Sequence, residues 1–212
     1  MRKQIILLMI MAIAFIQLKA QQRIVAECTI TYSIKITDSS VDKNIVESLK
    51  TSTKIVYIKG NKSRSGLVSS AFNQTVLLDK LTGNTVVLRE FGSNKFLTKL
   101  DRIQWSEINN KFKDMSVFFA DEIQNILGYD CKKVILKLTD GSQLAVYYAP
   151  SIIPSVKEFE YQFKDIPGFV LEYEMQENNG KKIRYTATKI NFNPVKASLF
   201  DTPTDGYKIL QK

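Results

Sequence analysis

Residues 27–37, Glu-Cys-Thr-Ile-Thr-Tyr-Ser-Ile-Lys-Ile-Thr, alternate without a break: the even positions are apolar and the odd ones mostly Thr, Ser and Lys. Successive side chains of a strand point to opposite faces, so a period of two fits a strand with one buried face and does not fit a helix, whose period is 3.6. Strand-like runs continue at 53–59, 62–69, 74–81 and 85–91, broken by Gly60-Asn61, by a short interruption near Ser70–Asn73 and by Thr82-Gly83-Asn84. Closely spaced turns between β-branched runs predict an antiparallel meander.

One helix interrupts the pattern, and a second, short polar one is suggested. Val41–Leu49 offers a narrow apolar face of Ile45, Val46 and Leu49. Asp101 stands three residues before Gln104, the spacing of a capping box, and Trp105, Ile108 and Phe112 follow at helical intervals. The simplest reading of this stripe is a helix packed on the sheet; the sharper one is a lid over an apolar groove. Alternation resumes at Met115, Val117 and Phe119.

Two hairpins follow. Asp140-Gly141 reads as a two-residue type I′ turn joining 131–139 to 142–149. For the second, a three-residue loop Asn178-Asn179-Gly180 with Gly180 left-handed sets Tyr173 opposite Tyr185, Met175 opposite Ile183, Leu171 opposite Ala187 and Glu174 opposite Arg184. A two-residue loop would mix the faces. Beyond Ala187 the apolar phase moves to Ile190 and Phe192, which predicts a bulge near Thr188-Lys189. The expected fold is mainly β (α+β), a large curved antiparallel sheet or half-barrel of about ten or eleven strands with one or two short helices, since a sheet of that size must curl or close.

The first residues read as an address. Arg2 and Lys3 precede an apolar run from Ile5 to Ile16, and Leu18-Lys19-Ala20 precedes Gln21. The order of charge, apolar stretch and small residue is that of a cleaved export signal, and the run falls short of the ~18 residues of a spanning helix. The chain therefore divides into a signal peptide, 1–20, cut between Ala20 and Gln21, and one β-rich domain, 21–212, destined for the periplasm, cell surface or extracellular space. Loss of Arg2, Lys3 and Lys19 lowers the formal charge from +9 to +6 over the 192 residues that remain. Arg23 and Glu27 separate Cys28 from the apolar run, which argues against a lipid anchor.

Two cysteines in an exported chain raise a Cys28–Cys131 disulfide. Cys28 lies in phase with Ile30, Tyr32, Ile34 and Ile36; Cys131 lies in phase with Lys133, Ile135 and Lys137 rather than with Val134, Leu136 and Leu138, so its face is ambiguous. A bridge and two unpaired thiols are both open.

Chemistry is scarce. There is no histidine among the 212 residues, so neither a Ser-His-Asp nor a Cys-His nucleophile can be built. Two cysteines cannot make a Cys-only zinc site, there is no phosphate-cradling glycine pattern, and the aspartates do not fall at calcium-loop spacing. The remaining option is a carboxylate pair. Glu172 and Glu174, and likewise Glu158 and Glu160, would share a strand face, but Glu174 has a cross-strand partner in Arg184, so a solvent-face reading is preferred. The basic residues are dispersed, which argues against nucleic acid. No catalytic residue, metal or cofactor is assigned.

Two stretches carry a resemblance. Gly128-Tyr129-Asp130-Cys131-Lys132-Lys133, after Asp121-Glu122 and Ile126-Leu127, resembles the G-Y-K-C-K-K-A stretch of exported Bacteroidota proteins. Asp165-Ile166-Pro167-Gly168-Phe169-Val170 resembles the signature of the GLPGLI family, keeping Pro167 and Gly168. The ending, Ser198-Leu199-Phe200-Asp201 with Pro203 and Gly206-Tyr207, is similar too. The likeness covers roughly residues 115–210 and implies an architecture like that of the LolA-type lipoprotein carriers, whose curved sheet shelters acyl chains. It implies no activity and transfers no functional residue. The expectation is thus a non-catalytic binding module of the cell envelope with a lipid or other apolar ligand, or else a structural or protein-interaction component with an envelope protein as partner, and no membrane-spanning helix in the mature chain.

Overall fold

A computed structural model of the protein describes residues 22–36, 51–70, 72–176 and 182–210. Strands β1 (Arg23–Val25), β2 (Glu27–Ile36), β3 (Thr53–Lys59), β4 (Lys62–Val68), β5 (Asn73–Asp79), β6 (Thr85–Phe91) and β7 (Asn94–Leu100) precede helix α1 (Arg102–Ile108). Strands β8 (Ser116–Ile126), β9 (Tyr129–Lys137), β10 (Gln143–Ala149), β11 (Ile152–Pro154), β12 (Phe169–Gln176), β13 (Lys182–Asn191) and β14 (Lys208–Leu210) follow. Twelve of them form one curved, open sheet in the order β14-β7-β6-β5-β4-β3-β2-β13-β12-β10-β9-β8; β1 and β11 make a separate parallel pair. The fold is mainly β, as the alternation predicts. The meander β2–β7 and the later strands join where β2 pairs with β13, and only the β14–β7 contact in the large sheet is parallel.

The sheet exceeds the expected strand count because Asn94–Leu100 pairs fully with β6 and because three C-terminal residues add an edge strand. Cys28, Ile30, Tyr32 and Ile34 of β2 are buried as their phase requires. The Asp101 carboxylate accepts from the Gln104 amide at 2.8 Å, and the Gln104 side chain accepts from the Asp101 amide at 3.0 Å, closing the capping box. The helix ends at Ile108, however, and Phe112 is buried from a separate 3-10 turn, Asn110–Phe112. The Val41–Leu49 helix lies outside the described residues.

The β12–β13 pairing places Tyr173 opposite Tyr185, Glu174 opposite Arg184 and Met175 opposite Ile183, the register of the three-residue loop; the loop itself lies outside the described residues. The bulge falls where expected, with Thr188 skipped between Ala187 and Lys189. The Asp140-Gly141 hairpin differs. Gln143 pairs with Lys137 and Leu138 N–H donates to Ser142 O, so the loop has three residues, Thr139-Asp140-Gly141, with only Gly141 at positive φ (+86°). The physical reason is packing: this register sets Leu144 opposite Leu136 and Val146 opposite Val134, whereas a two-residue turn would offset the apolar residues. The Asp140 carboxylate accepts from Ser142 N–H at 2.9 Å and holds the turn.

One face of the sheet, the core face, carries Ile30, Tyr32, Val56, Ile58, Val134, Leu136, Val146 and Tyr173, all buried. The connection from β11 to β12 crosses it as a strap of two 3-10 turns, Lys157–Phe159 and Tyr161–Phe163, and inserts Val156, Phe159, Phe163 and Ile166. Rings interlock there, with Phe163 edge-on to Tyr173 at 5.0 Å and Phe159 against Phe169 at 5.7 Å. The strap leaves through Pro167-Gly168. A Cβ on Gly168 would lie 2.6 Å from Tyr148 Cδ2 and 2.9 Å from the Ala149 carbonyl carbon, so only glycine lets the backbone pass this close to β10. On the back face, the segment from Val195 to Tyr207 covers β4–β7, with Arg64 Nη1 donating to Leu199 O at 2.8 Å.

Candidate functional site

The core face is filled unevenly. Over β2, β13, β12, β10 and β9 the strap occupies the space with its own aromatic side chains. Over β5–β7 the cover is α1, which is only seven residues long and has no fully buried residue of its own. Two clefts remain there and meet at Trp105. One, of about 220 Å³, lies between Leu78, Arg102, Trp105, Ser106, Glu158 and Tyr161. The other, of about 320 Å³, lies between Val87, Thr98, Leu100, Trp105, Ile108 and Leu210. The walls follow from the alternation: Leu78, Val87, Thr98 and Leu100 are core-face positions of three adjacent strands. Trp105 and Ile108, one helical turn apart, overhang them.

Hydrogen bonds hold α1 in place at both ends. Arg102 Nη2 donates to Leu81 O at 2.9 Å, and the hydroxyls of Ser106 and Tyr161 lie 3.1 Å apart, tying the helix to the strap. Among the described residues, three buried side-chain polar atoms lack a partner: Thr85 Oγ1, Trp105 Nε1 and Glu158 Oε2. Two of the three belong to walls of the smaller cleft. A donor and an acceptor left unpaired beside an apolar cleft suit a ligand with an apolar body and a hydroxyl-bearing or similarly polar end. A further cavity of about 500 Å³ lies by the start of α1, and its Asp101 and Gln104 are already engaged in the capping box.

Deeper on the core face, Lys54 Nζ pairs with Glu160 at 2.6 Å, donates to Tyr173 OH at 2.8 Å and lies 5.2 Å from the Tyr185 ring centroid. Glu160 also accepts from Ser65 Oγ at 2.7 Å. Burial pushes the Tyr173 and Tyr32 hydroxyls well above the usual tyrosine range, with the Glu160 charge adding to the shift, so both remain protonated, and Tyr32 donates to Val170 O at 2.8 Å. This cluster fastens the strap to β3 and β4 and is largely buried. Sequence reasoning passed over it, although Lys54 in phase with buried Val56 and Ile58 is a usable signal.

The residues singled out in the sequence come to different ends. Cys28 and Cys131 are free thiols and both are fully buried. They lie on β2 and β9, with β13, β12 and β10 between. Cys131 is buried despite its phase because β9 changes phase between Cys131 and Val134, opposite the interruption of β8 at Asp121-Glu122. Burial pushes each thiol up to about 12. Glu174 takes Arg184, Nη2 at 2.8 Å, as expected. Glu172 departs from the solvent-face reading: it is buried, across from Tyr147 on one side and accepting from Thr186 Oγ1 at 2.7 Å on the other. Glu158 and Glu160 are not on a strand at all, because the apolar spacing of Val156, Phe159 and Phe163 folds as 3-10 turns. Ala20 and Gln21 lie outside the described residues. Among the described residues no three His, Cys, Asp or Glu side chains gather closely enough to hold a metal ion, and no helix is long and apolar enough to cross a membrane.

No family model matches the chain, and no curated protein matches it. Among solved structures, PNGF-II in a P21 crystal form overlays with a TM-score of 0.51 and 14% identity, covering 88% of this chain and 32% of that one. The chain thus spans about a third of PNGF-II, and at this identity the likeness speaks for the fold alone. Weaker overlays are found with MucB in complex with MucA(peri), TM-score 0.44, 10% identity, 88% of this chain and 57% of that one. A LolA superfamily protein from Nitrosomonas europaea gives TM-score 0.35 and 11% identity over 84% of this chain and 91% of that one.

Proposed function

We propose that the protein is an exported, non-catalytic binding module of the cell envelope that shelters a lipid tail or other apolar ligand beside Trp105. The observation that carries this reading is the uneven core face, closed by the strap on one side and left with clefts of about 220 and 320 Å³ under α1 on the other. Ligand pockets usually span about 300–1,000 Å³, so a single acyl chain or a small ring system fits better than a two-chain lipid. The charge, apolar run and Ala20-Gln21 junction of the first residues support export to the periplasm or cell surface.

Trp105 is the single tryptophan of the chain, so its emission reports on the cleft directly. Titration with a single-chain fatty acid should give a saturable blue shift, and native mass spectrometry should find a stoichiometric adduct. Ile108→Glu, at a partly exposed wall position, should weaken uptake about tenfold or more, the effect of burying an unpaired charge. Unchanged emission together with a clean apo mass would overturn the reading.

A second reading, a structural or protein-interaction component of the envelope, draws on the self-filled half of the core face. It predicts a specific partner in cross-linking of intact cells and no extractable ligand.

A further inference from the structure

We propose that the free edge of β8 is a docking strand for a second copy of this chain, the two copies pairing antiparallel about Phe118 to continue one sheet into the next. β8 ends the twelve-stranded sheet, with no strand beyond it among the described residues. Proteins ordinarily blunt such an edge with lysine, proline, an inward charge or a bulge, because its unpaired backbone groups template another strand. Within Ser116-Val117-Phe118-Phe119-Ala120 there is none of these, the bulge lying just after it, and Phe118 and Phe119 are 55% and 66% exposed. A bulge at Asp121-Glu122 then interrupts the strand, so the uncharged stretch is set off as a unit of five residues.

The uncharged stretch is self-complementary, so its register accommodates a second copy. Pairing in β8–β9 puts Val117 and Phe119 on the core face, opposite Leu136 and Val134, and Phe118 on the back face, opposite Ile135. Two copies related by a two-fold axis through the sheet keep their faces only if opposed residues have the same parity. An axis at Phe118 satisfies this, with Phe118 facing Phe118, Val117 facing Phe119 and Ser116 facing Ala120. Every contact within the segment is then uncharged. Beyond it, Asp121 faces Met115. Glu122, whose carboxylate is already held by Lys133 Nζ at 2.6 Å and by the Tyr147 hydroxyl, faces Asp114. An axis at Asp121, which would pair the whole strand, sets that carboxylate against its own copy. Five residues a side is well short of the roughly 20–30 of a standard interface, so the dimer dissociates on dilution.

The test is sedimentation equilibrium of the purified protein over a wide concentration range, with oxidative trapping by diamide. The mass should rise from monomer to dimer with concentration, and Phe118→Lys should remove the rise while leaving the circular dichroism spectrum unchanged. In the proposed register the two Cα atoms at position 118 are about 4.5–5.5 Å apart, within disulfide reach, while those at 119 are roughly 7–8 Å apart and beyond it. Phe118→Cys should therefore cross-link at least about tenfold faster than Phe119→Cys. A mass that stays monomeric, or equal cross-linking at the two positions, overturns the proposal. So does a β8 edge protected only by a strand from a different protein.

Discussion

Lys54 and Glu160, on β3 and on the strap, form an ion pair at 2.6 Å with only 10% and 21% of their side-chain surfaces exposed. The pair fastens the strap to the sheet: Glu160 sits between the 3-10 turns that carry Phe159 and Phe163, and Lys54 is enclosed by Tyr173 and Tyr185. Removing one partner leaves a charge with no neutralising neighbour in a largely buried place, which costs about 3–5 kcal/mol. Glu160→Ala should lower the urea midpoint accordingly, and Lys54→Met combined with Glu160→Leu should recover most of the loss. Equal destabilisation by the single and the double variant would mean that the pair is not coupled.

The two thiols give a clean chemical prediction. Burial pushes both up to about 12, so the folded protein should resist alkylation at mildly alkaline pH. Unfolding in denaturant without reductant should then admit two labels per chain, read by intact mass. No labels after unfolding would reveal a Cys28–Cys131 bridge instead.

Acid should loosen the back-face cover. Glu27 is held below its ordinary value of 4.5, first by the Lys59 ammonium and then by the Val195 N–H, and Glu90 is held down chiefly by the Tyr207 hydroxyl. Both contacts fasten the segment from Val195 to Leu210. A carboxylate depressed in the folded state contributes stability fully above its unfolded value, and that contribution is lost as pH falls through the depressed folded value. Cleavage after Tyr207 or Phe200 by an acid-active protease should accelerate below the ordinary carboxylate range while the core strands stay protected. Glu90→Gln should show part of the same loosening at neutral pH. Uniform cleavage across the chain would contradict this.

Gly168 should not tolerate a side chain. Its Cβ would overlap Ala149 and Tyr148, and forcing extra atoms into a packed site costs about 1–3 kcal/mol. Gly168→Ala should therefore fold with a lowered midpoint and, because the strap exits here, with increased protease access at Phe163–Ile166. The same change at Gly128, where nothing lies within 4 Å but φ is +83°, should show strain without exposing the strap.

The thread of alternation from Glu27 to Thr37 determined the β class, the buried face of β2 and the antiparallel meander. The opposed charges and rings of Glu174–Arg184 and Tyr173–Tyr185 determined a hairpin register, and Asp101 with Gln104 determined where a helix begins. These are relations among near neighbours, and local sterics and turn chemistry write them into the chain directly. What fills the core face was decided only in three dimensions. Glu158 and Glu160 read as strand residues until Phe159 and Phe163 found Tyr173 and Phe169, and Lys54 gains its partner only because the strap brings a carboxylate to it. Glu172 is buried by strands on both sides, and β8 is an edge only because no described strand pairs beyond it. Such contacts join residues far apart in the chain, and their energy depends on which surfaces meet, a quantity that no local period records.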